Sequence, residues 1–297
     1  MNRDAAFAAY EAVRHRLPEA GVGGACKRVA NLDAIADEID VFLLDAFGVL
    51  NIGDSAIAGV PERVAGLQAA GKRVLVVSNA AGFPHAMLME KYARLGYDFA
   101  AEDVISSRKA LLAGLAQEPE RHWGIMANEA LGRADLEGLS LTYLGDDPAE
   151  YDAVDGVLMV GSAVWSDARQ ALLEASLRNR PRPVMVGNPD IVAPREDGFS
   201  VEPGAYAHRL ADATGITPQF FGKPFHNIFD LAFARLDGPD LSRVVMVGDS
   251  LHTDILGGQV AGVKSALIAG FGFFGGADVD GPIARSGLRP DYILERP

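Results

Sequence analysis

From residue 41 onward the chain alternates short, unbroken apolar runs with stretches whose apolar residues recur every three or four positions. "VFLLD" (41–45) leads into a helical period over "GVPERVAGLQAAG" (59–71). Next come "RVLVVSN" (73–79), a helix over "PHAMLMEKYARLG" (84–96) and "DVISS" (103–107). Continuous Val/Ile/Leu runs are the mark of strands covered on both faces, as in a parallel sheet with crossover helices. The rhythm resumes with "WGIMA" (123–127), "LSLTYL" (139–144), "DGVLMVG" (155–161) and "RPVMVGN" (182–188), with helices near 128–136 and 166–179. A helix over 204–214 follows, then "QFFGKP" (219–224), a helix over "HNIFDLAFARL" (226–236) and "RVVMVGDS" (243–250). A helix over "TDILGGQVAG" (253–262), "KSALIAG" (264–270) and a last strand "DYIL" (291–294) complete the pattern. Residues 5–17 carry the spacing of an amphipathic helix and read as an extension packed on the outside. No low-complexity tract or long linker divides the chain, so a second domain would have to be inserted in the first.

Composition narrows the class. At 297 residues the chain has room for one large or two ordinary domains, and 49% hydrophobic residues supply a core. A formal charge of −13 argues against a broad nucleic-acid footprint. It does not exclude an anionic small substrate, because a bound cation or one lysine reverses the field locally. Cys26 is the one cysteine, which rules out an intrachain disulfide and fits a reducing cytoplasm. The N-terminal stretch is broken by charges unlike a signal peptide, and no window reaches the roughly 18 apolar residues of a membrane span.

Four polar sites fall at or just past the C-terminal ends of candidate strands, the edge where open α/β sheets bind ligands. Asp45 follows "VFLL", Ser78 and Asn79 follow "RVLVV", Lys223 follows "QFFG", and Asp249 follows "RVVMVG". Asp45 can serve as a nucleophile or hard-metal ligand; alone it reads equally as a turn-forming residue. Ser78 and Asn79 can hold a phosphate oxygen at a helix start, or simply cap the helix. Lys223, between Gly222 and Pro224, can put one positive charge on a phosphoryl group, or be a solvated loop lysine. In "VGDSLHTDI", Asp249 and Asp254 can join Asp45 in an oxygen-rich pocket for Mg²⁺, or be a cap and a dipole-stabilising residue. Taken together, the four favour phosphate and magnesium chemistry.

The ordered set Asp45-Ala-Phe-Gly-Val-Leu, Ser78-Asn79, Gly222-Lys223-Pro224 and Gly248-Asp249-Ser250…Asp254 resembles the haloacid dehalogenase (HAD) superfamily. The finer text, including "LGYDFAAEDVISS", "VGNPD" and "VGDSLHTDILGGQVAG", is similar to subclass IIA, with its nitrophenylphosphatase-like and pyridoxal-phosphate-phosphatase-like members. The resemblance spans most of residues 38–272. It implies an α/β Rossmann-like core with a parallel sheet (1–106 and 205–297, with 1–37 a helical extension) and an inserted α/β cap domain (107–204). It implies that Asp45 attacks phosphorus, that Ser78, Asn79 and Lys223 hold the phosphoryl group, and that Mg²⁺ is held by Asp45, the Phe47 backbone carbonyl and Asp249, with Asp254 acting through water. The partner would be a small phosphorylated metabolite chosen by the cap, with Asn188, Asp190 and "APREDGF" (193–199) as candidate selectivity residues. Caps of this kind often dimerise in related proteins.

One residue departs from the family. Most phosphatases of this superfamily carry a second aspartate two residues after the nucleophile, where it moves the proton of the leaving alcohol. Here that residue is Phe47. General acid–base catalysis is worth roughly 10²–10⁴-fold, so weak turnover of alkyl phosphates is expected. His85 could substitute, or be a helix-start surface histidine. Alternatives are a phosphometabolite-binding regulator, a metal-free dehalogenase using Asp45, and a phosphonate-cleaving enzyme. The last needs a cap lysine, and Lys109 is the sole lysine between 107 and 204. His208, His226 and His252 read as surface or supporting residues, and Trp123 and Trp165 as cap core.

Overall fold

The computed structural model describes residues 1–195 and 198–297. Its larger sheet has seven strands in the spatial order Lys27–Val29, Tyr292–Leu294, Lys264–Ile268, Val244–Gly248, Val41–Leu44, Arg73–Ser78 and Val104–Ser106. Every pairing is parallel. The apolar runs of the sequence form its centre. Val41–Leu44 and Val244–Gly248 are buried throughout because helices cover both faces. Strand order reverses about Val41–Leu44: the chain leaves it toward Arg73–Ser78 on one side and returns as Val244–Gly248 on the other. A crevice forms at the carboxyl ends of the strands at such a switch point.

A second sheet of five strands is built by the chain between the two halves of the first. Its order is Gln219–Phe220, Val184–Val186, Gly156–Met159, His122–Met126 and Ser140–Tyr143, again all parallel. Its two faces carry separate cores. Tyr151, Trp165, Leu173 and Leu210 lie in one, and Leu111, Trp123, Ile125 and Leu158 in the other. Both tryptophans are therefore core residues, as expected.

The structure departs from the sequence pattern in several places. The inserted unit does not end at residue 204. The helix Pro203–Thr214 packs its Ala207 and Leu210 into the inserted unit's core, and Gln219–Phe220 extends its sheet. A two-residue strand has no period to read. The N-terminal segment is more than a helical extension: after the helix Arg3–Ala12, Lys27–Val29 forms the edge strand of the large sheet. Its sequence, KRV, is charged, as edge strands tend to be. The helix expected over 128–136 is reduced to a single 3₁₀ turn at Glu129–Leu131, ended by Gly132 at φ 76°. After Ile191, in a segment to which the sequence pattern assigned no element, Val192–Arg195 pairs antiparallel with Gly198–Val201 as a hairpin. Among the described residues, no helix is long and apolar enough to cross a membrane.

Candidate active site

Asp45 and Asp249 are 204 positions apart and meet because their strands are neighbours. Leu44 is in register with Val247, and the Asp45 N–H donates to the Val247 carbonyl at 2.9 Å. Each aspartate is the first residue to leave the sheet at this edge. The loop after Asp45 then turns on Gly48, at φ 78°. A Cβ there would lie 2.6 Å from Asp249 Oδ2, so only glycine allows the two loops to approach this closely.

Asp254 is brought in by a local irregularity. The helix expected after "VGDS" opens with a wide π turn, Leu251–Ile255, in which the Ile255 N–H reaches back to the Ser250 carbonyl. Turns of this kind recur at functional sites because they re-aim a side chain. Here Asp254 Oδ2 accepts the Ser250 N–H at 3.1 Å and the carboxylate is fully buried. Asp45, Asp249 and Asp254 each offer an oxygen within 4.8 Å of the others.

Lys223 closes the cluster. Its Nζ lies 2.6 Å from Asp45 Oδ1 and 2.7 Å from Asp254 Oδ1, and the side chain is buried. Burial alone would lower its pKa, but the Asp254 and Asp45 carboxylates outweigh this and raise it, so the ammonium form is secure. Asp249 is held well above the usual carboxylate range, first by burial and then by Asp45 and Asp254. Asp254 is raised by burial too, with Lys223 pulling it back. Three carboxylates against one ammonium leave a formal charge of −2 when all are ionised. An all-oxygen donor set of that charge fits a hard divalent cation. The Phe47 carbonyl accepts no backbone hydrogen bond among the described residues and lies in the same cavity wall, so it also fits the donor set.

The cavity above the cluster holds about 560 Å³ and is walled by both units and by Tyr10 of the N-terminal helix. Ser78 lines it, and its hydroxyl has no protein hydrogen-bond partner among the described residues. Asn79 lines it as well, but its side chain is already committed. Its Oδ1 accepts the Lys223 N–H (2.8 Å), while its Nδ2 donates to the Lys223 carbonyl (2.9 Å) and to Asp190 Oδ1 (2.8 Å). Asn79 therefore positions Lys223 and Asp190, and its amide has no hydrogen left for a phosphate. Gly222, at φ 126°, makes this possible, since a Cβ there would sit 2.5 Å from Asn79 Oδ1.

Asn188 and Asp190 also line the cavity. Of the "APREDGF" segment, Ala193, Pro194 and Arg195 do so, whereas Glu196 and Asp197 lie outside the described residues. His85 does not: its ring is absent from the cavity wall, and burial lowers its pKa. Lys109 is turned away too, its Nζ donating to the carbonyls of Ala101 and Val104, which removes the lysine a phosphonate-cleaving site would need. His226 is exposed at a helix start beside Asp230, and His208 is buried against Phe220. His252 is buried, stacked on Tyr10 at 5.0 Å and paired with Glu11 at 2.5 Å, so it anchors the N-terminal helix.

Among the cavity residues that sequence reasoning missed are Tyr10, Lys91 and Asn51. Tyr10 is far away in the chain and looked like surface packing. Lys91 sits on a helix whose polar face carried no motif. Asn51 is buried beside the Asp45 loop, with an Oδ1 that has no partner.

Strand-end carboxylates at a topological switch, a lysine wedged between them and a cavity walled in part by an inserted unit define an α/β protein with a buried carboxylate centre. Comparison with known proteins specifies it. The sequence profile of the haloacid dehalogenase-like hydrolases matches residues 42–139, and a HAD-hydrolase-like profile matches residues 220–296. The glycerol-3-phosphate phosphatase of Gallus gallus is 31% identical over 92% of this chain and 95% of its own length. Among solved structures, the 4-nitrophenylphosphatase of Thermotoga maritima shares the fold, with a TM-score of 0.72 at 22% identity over 88% of this chain and 96% of that one. The glycerol phosphate phosphatase Rv1692 of Mycobacterium tuberculosis, in complex with calcium, gives a TM-score of 0.63 at 26% identity over 80% of this chain and 68% of that one. The chain belongs to the haloacid dehalogenase-like hydrolases and is an enzyme of their phosphatase class.

Proposed function

We propose that this protein is a Mg²⁺-dependent phosphatase that hydrolyses a small phosphorylated metabolite through an aspartyl-phosphate at Asp45. The observation that carries the reading is the buried cluster of Asp45, Asp249, Asp254 and Lys223 at the floor of a 560 Å³ cavity. Asp45 would attack phosphorus with the oxygen that does not face Lys223. The Lys223 ammonium lies against the nucleophile, where it can neutralise a phosphoryl oxygen as the bond forms. Ser78, with its hydroxyl unengaged, would hold a second phosphoryl oxygen. Asp45, the Phe47 carbonyl, Asp249 and Asp254 would hold the cation, which when bound supplies charge neutralisation for an anionic transition state. The inserted unit would act as a cap that excludes water and selects the substrate.

The relatives' names support small organic phosphates as substrates. Phe47 cannot move a proton, so turnover of alkyl esters is weak unless another group supplies one.

The test is a phosphatase panel with and without Mg²⁺, including acetyl phosphate, p-nitrophenyl phosphate and glycerol 3-phosphate. Metal-dependent phosphate release that disappears in Asp45→Asn is the expected result. Silence on every substrate, with tight binding of a phosphometabolite, would make the protein a sensor instead. Chloride release from a haloacid without metal would make it a dehalogenase.

A further inference from the structure

With phenylalanine at position 47, the core offers no carboxylic acid two residues after Asp45. The part of the cavity wall built by the inserted unit contains one. Asp190 lies between the strand Val184–Val186 and the hairpin that begins at Val192. Its backbone is fixed twice: the N–H donates to Asn188 Oδ1 at 3.0 Å, and the carbonyl accepts the Gly204 N–H at 2.9 Å. Its Oδ1 accepts Asn79 Nδ2, and the same Asn79 amide grips Lys223, whose ammonium touches Asp45. One side chain thus links the carboxyl to the phosphoryl-transfer cluster. Asp190 is partly open to the cavity, and its Oδ2 has no hydrogen-bond partner among the described residues.

The surroundings favour the acid form. Burial pushes the Asp190 pKa up to about 8. The Asn79 hydrogen bond and Lys223 pull it down, while Asp45 and Glu202 push it up again. Because Oδ1 already accepts from Asn79, the proton belongs on Oδ2, the oxygen left free. Two other candidates fail this test. The Tyr10 hydroxyl is held between the Ile191 N–H and the Val192 carbonyl, and its pKa is raised further by burial. His85 lies outside the wall.

We propose that Asp190, from the inserted unit, is the general acid and base that replaces the missing core aspartate. The proposal rests on the phosphatase reading above. In the first step an Asp45 oxygen bonds to phosphorus as the bond from phosphorus to the leaving oxygen breaks, and the Asp190 proton passes to that oxygen. The alcohol leaves neutral and Asp190 becomes a carboxylate. In the second step a water oxygen bonds to phosphorus as the Asp45–phosphorus bond breaks, and the water proton returns to Asp190. The sum is ester plus water giving alcohol plus phosphate.

The experiment compares wild type, Asp190→Asn and Asp190→Glu, full-length with Mg²⁺, on two substrates. Glycerol 3-phosphate needs its leaving oxygen protonated, and p-nitrophenyl phosphate does not. Asp190→Asn should lose about 10²–10⁴-fold on glycerol 3-phosphate. It should still give a burst of p-nitrophenolate near one equivalent, followed by slow turnover. Wild-type kcat/KM on glycerol 3-phosphate should decline above about pH 8 as Asp190 loses its proton, and the variant should lack that limb. Asp190→Glu should recover part of the alkyl activity. Equal losses in the first step of both substrates would reduce Asp190 to a structural role and overturn the proposal, as would no loss at all. If Asp190→Asn does not fold, Asp190→Glu carries the same leaving-group comparison. A wild type inactive on both substrates would instead overturn the phosphatase reading, and this proposal with it.

Discussion

Asp249→Asn should stabilise the metal-free protein while abolishing its response to magnesium. Among the described residues Asp249 has no cation in direct contact, since Lys223 pairs with Asp45 and Asp254. Its neighbours offer carboxylate oxygens within 4.8 Å. At an effective dielectric constant of about 20, two unit charges at that separation repel by about 3.5 kcal/mol. The native state escapes part of this cost by keeping Asp249 protonated, in line with the raised pKa. The sign follows: a carboxyl whose folded pKa is raised is least destabilising at low pH, and its cost grows as pH rises through the folded value. An asparagine preserves the acceptor for the Phe273 N–H, which Asp249 Oδ2 now accepts at 2.7 Å, and removes the charge. A net gain of about 1–3 kcal/mol near neutral pH is expected, or roughly 2–10 °C in Tm. A bound cation reverses the balance: at a hundred times its dissociation constant it stabilises wild type by about 2.7 kcal/mol. Thermal melts in EDTA and in excess Mg²⁺ read both effects. Wild type should rise with Mg²⁺, while Asp249→Asn should melt higher than wild type in EDTA and barely respond to Mg²⁺. A variant that melts lower in EDTA, or that keeps the full magnesium shift, would refute the charge-cluster reasoning.

Two further changes probe the rest of the site. Phe47→Asp restores a carboxylate where the core lacks one. It should rescue glycerol 3-phosphate turnover in the Asp190→Asn background by at least tenfold, and add much less to wild type, which already has a donor; a steady-state assay of the single and double variants decides. Gly222→Ala places a methyl 2.5 Å from Asn79 Oδ1 and 2.8 Å from Ser107 Cβ, at a φ of 126° that alanine resists. It should cost about 1–3 kcal/mol in a denaturant melt. It should also lower kcat by about 10², because the displaced turn carries Lys223.

How much of this was visible in the residues depends on what each had to do. Asp45, Ser78 and Asp249 could be read because each stands at the end of an unbroken apolar run, where a polar residue has few reasons to be, and Asp254 because it follows Asp249 by five residues. Lys223 was found by its place between Gly222 and Pro224, although the strand before it belongs to the inserted sheet and not to the core. What stayed hidden depends on contacts across units. Nothing in "SNAA" says that both ends of the Asn79 amide are spent on Lys223 and Asp190. Nor does the helical spacing of residues 5–17 reveal that Tyr10 reaches the cavity, since burial against a distant hairpin and burial against a helix leave the same pattern. The π turn at Leu251–Ile255 was invisible for a related reason: its sequence fits an ordinary helix, and the wider turn exists only because Asp254 is drawn to Lys223 and to the Ser250 N–H.

The site divides its labour between the two units. In the proposed mechanism the core would supply the carboxylates and the Ser78 hydroxyl, at the ends of strands of one sheet, while Lys223 follows a strand of the inserted sheet and is held to the core by Asn79. A rigid sheet holds such groups to the tolerance that phosphoryl transfer needs. The inserted unit would supply what depends on the leaving group, since Asp190, Asn128, Asn188 and Arg195 line the cavity from its side. Phe47 fits this division. A carboxylate there would add a fourth negative charge close to Asp45 and the metal donors, whereas the ring adds none. If Asp190 is the proton donor, the acid stands outside the core carboxylate cluster, and the repulsion among those carboxylates is lower than it would be with a fourth acid at position 47.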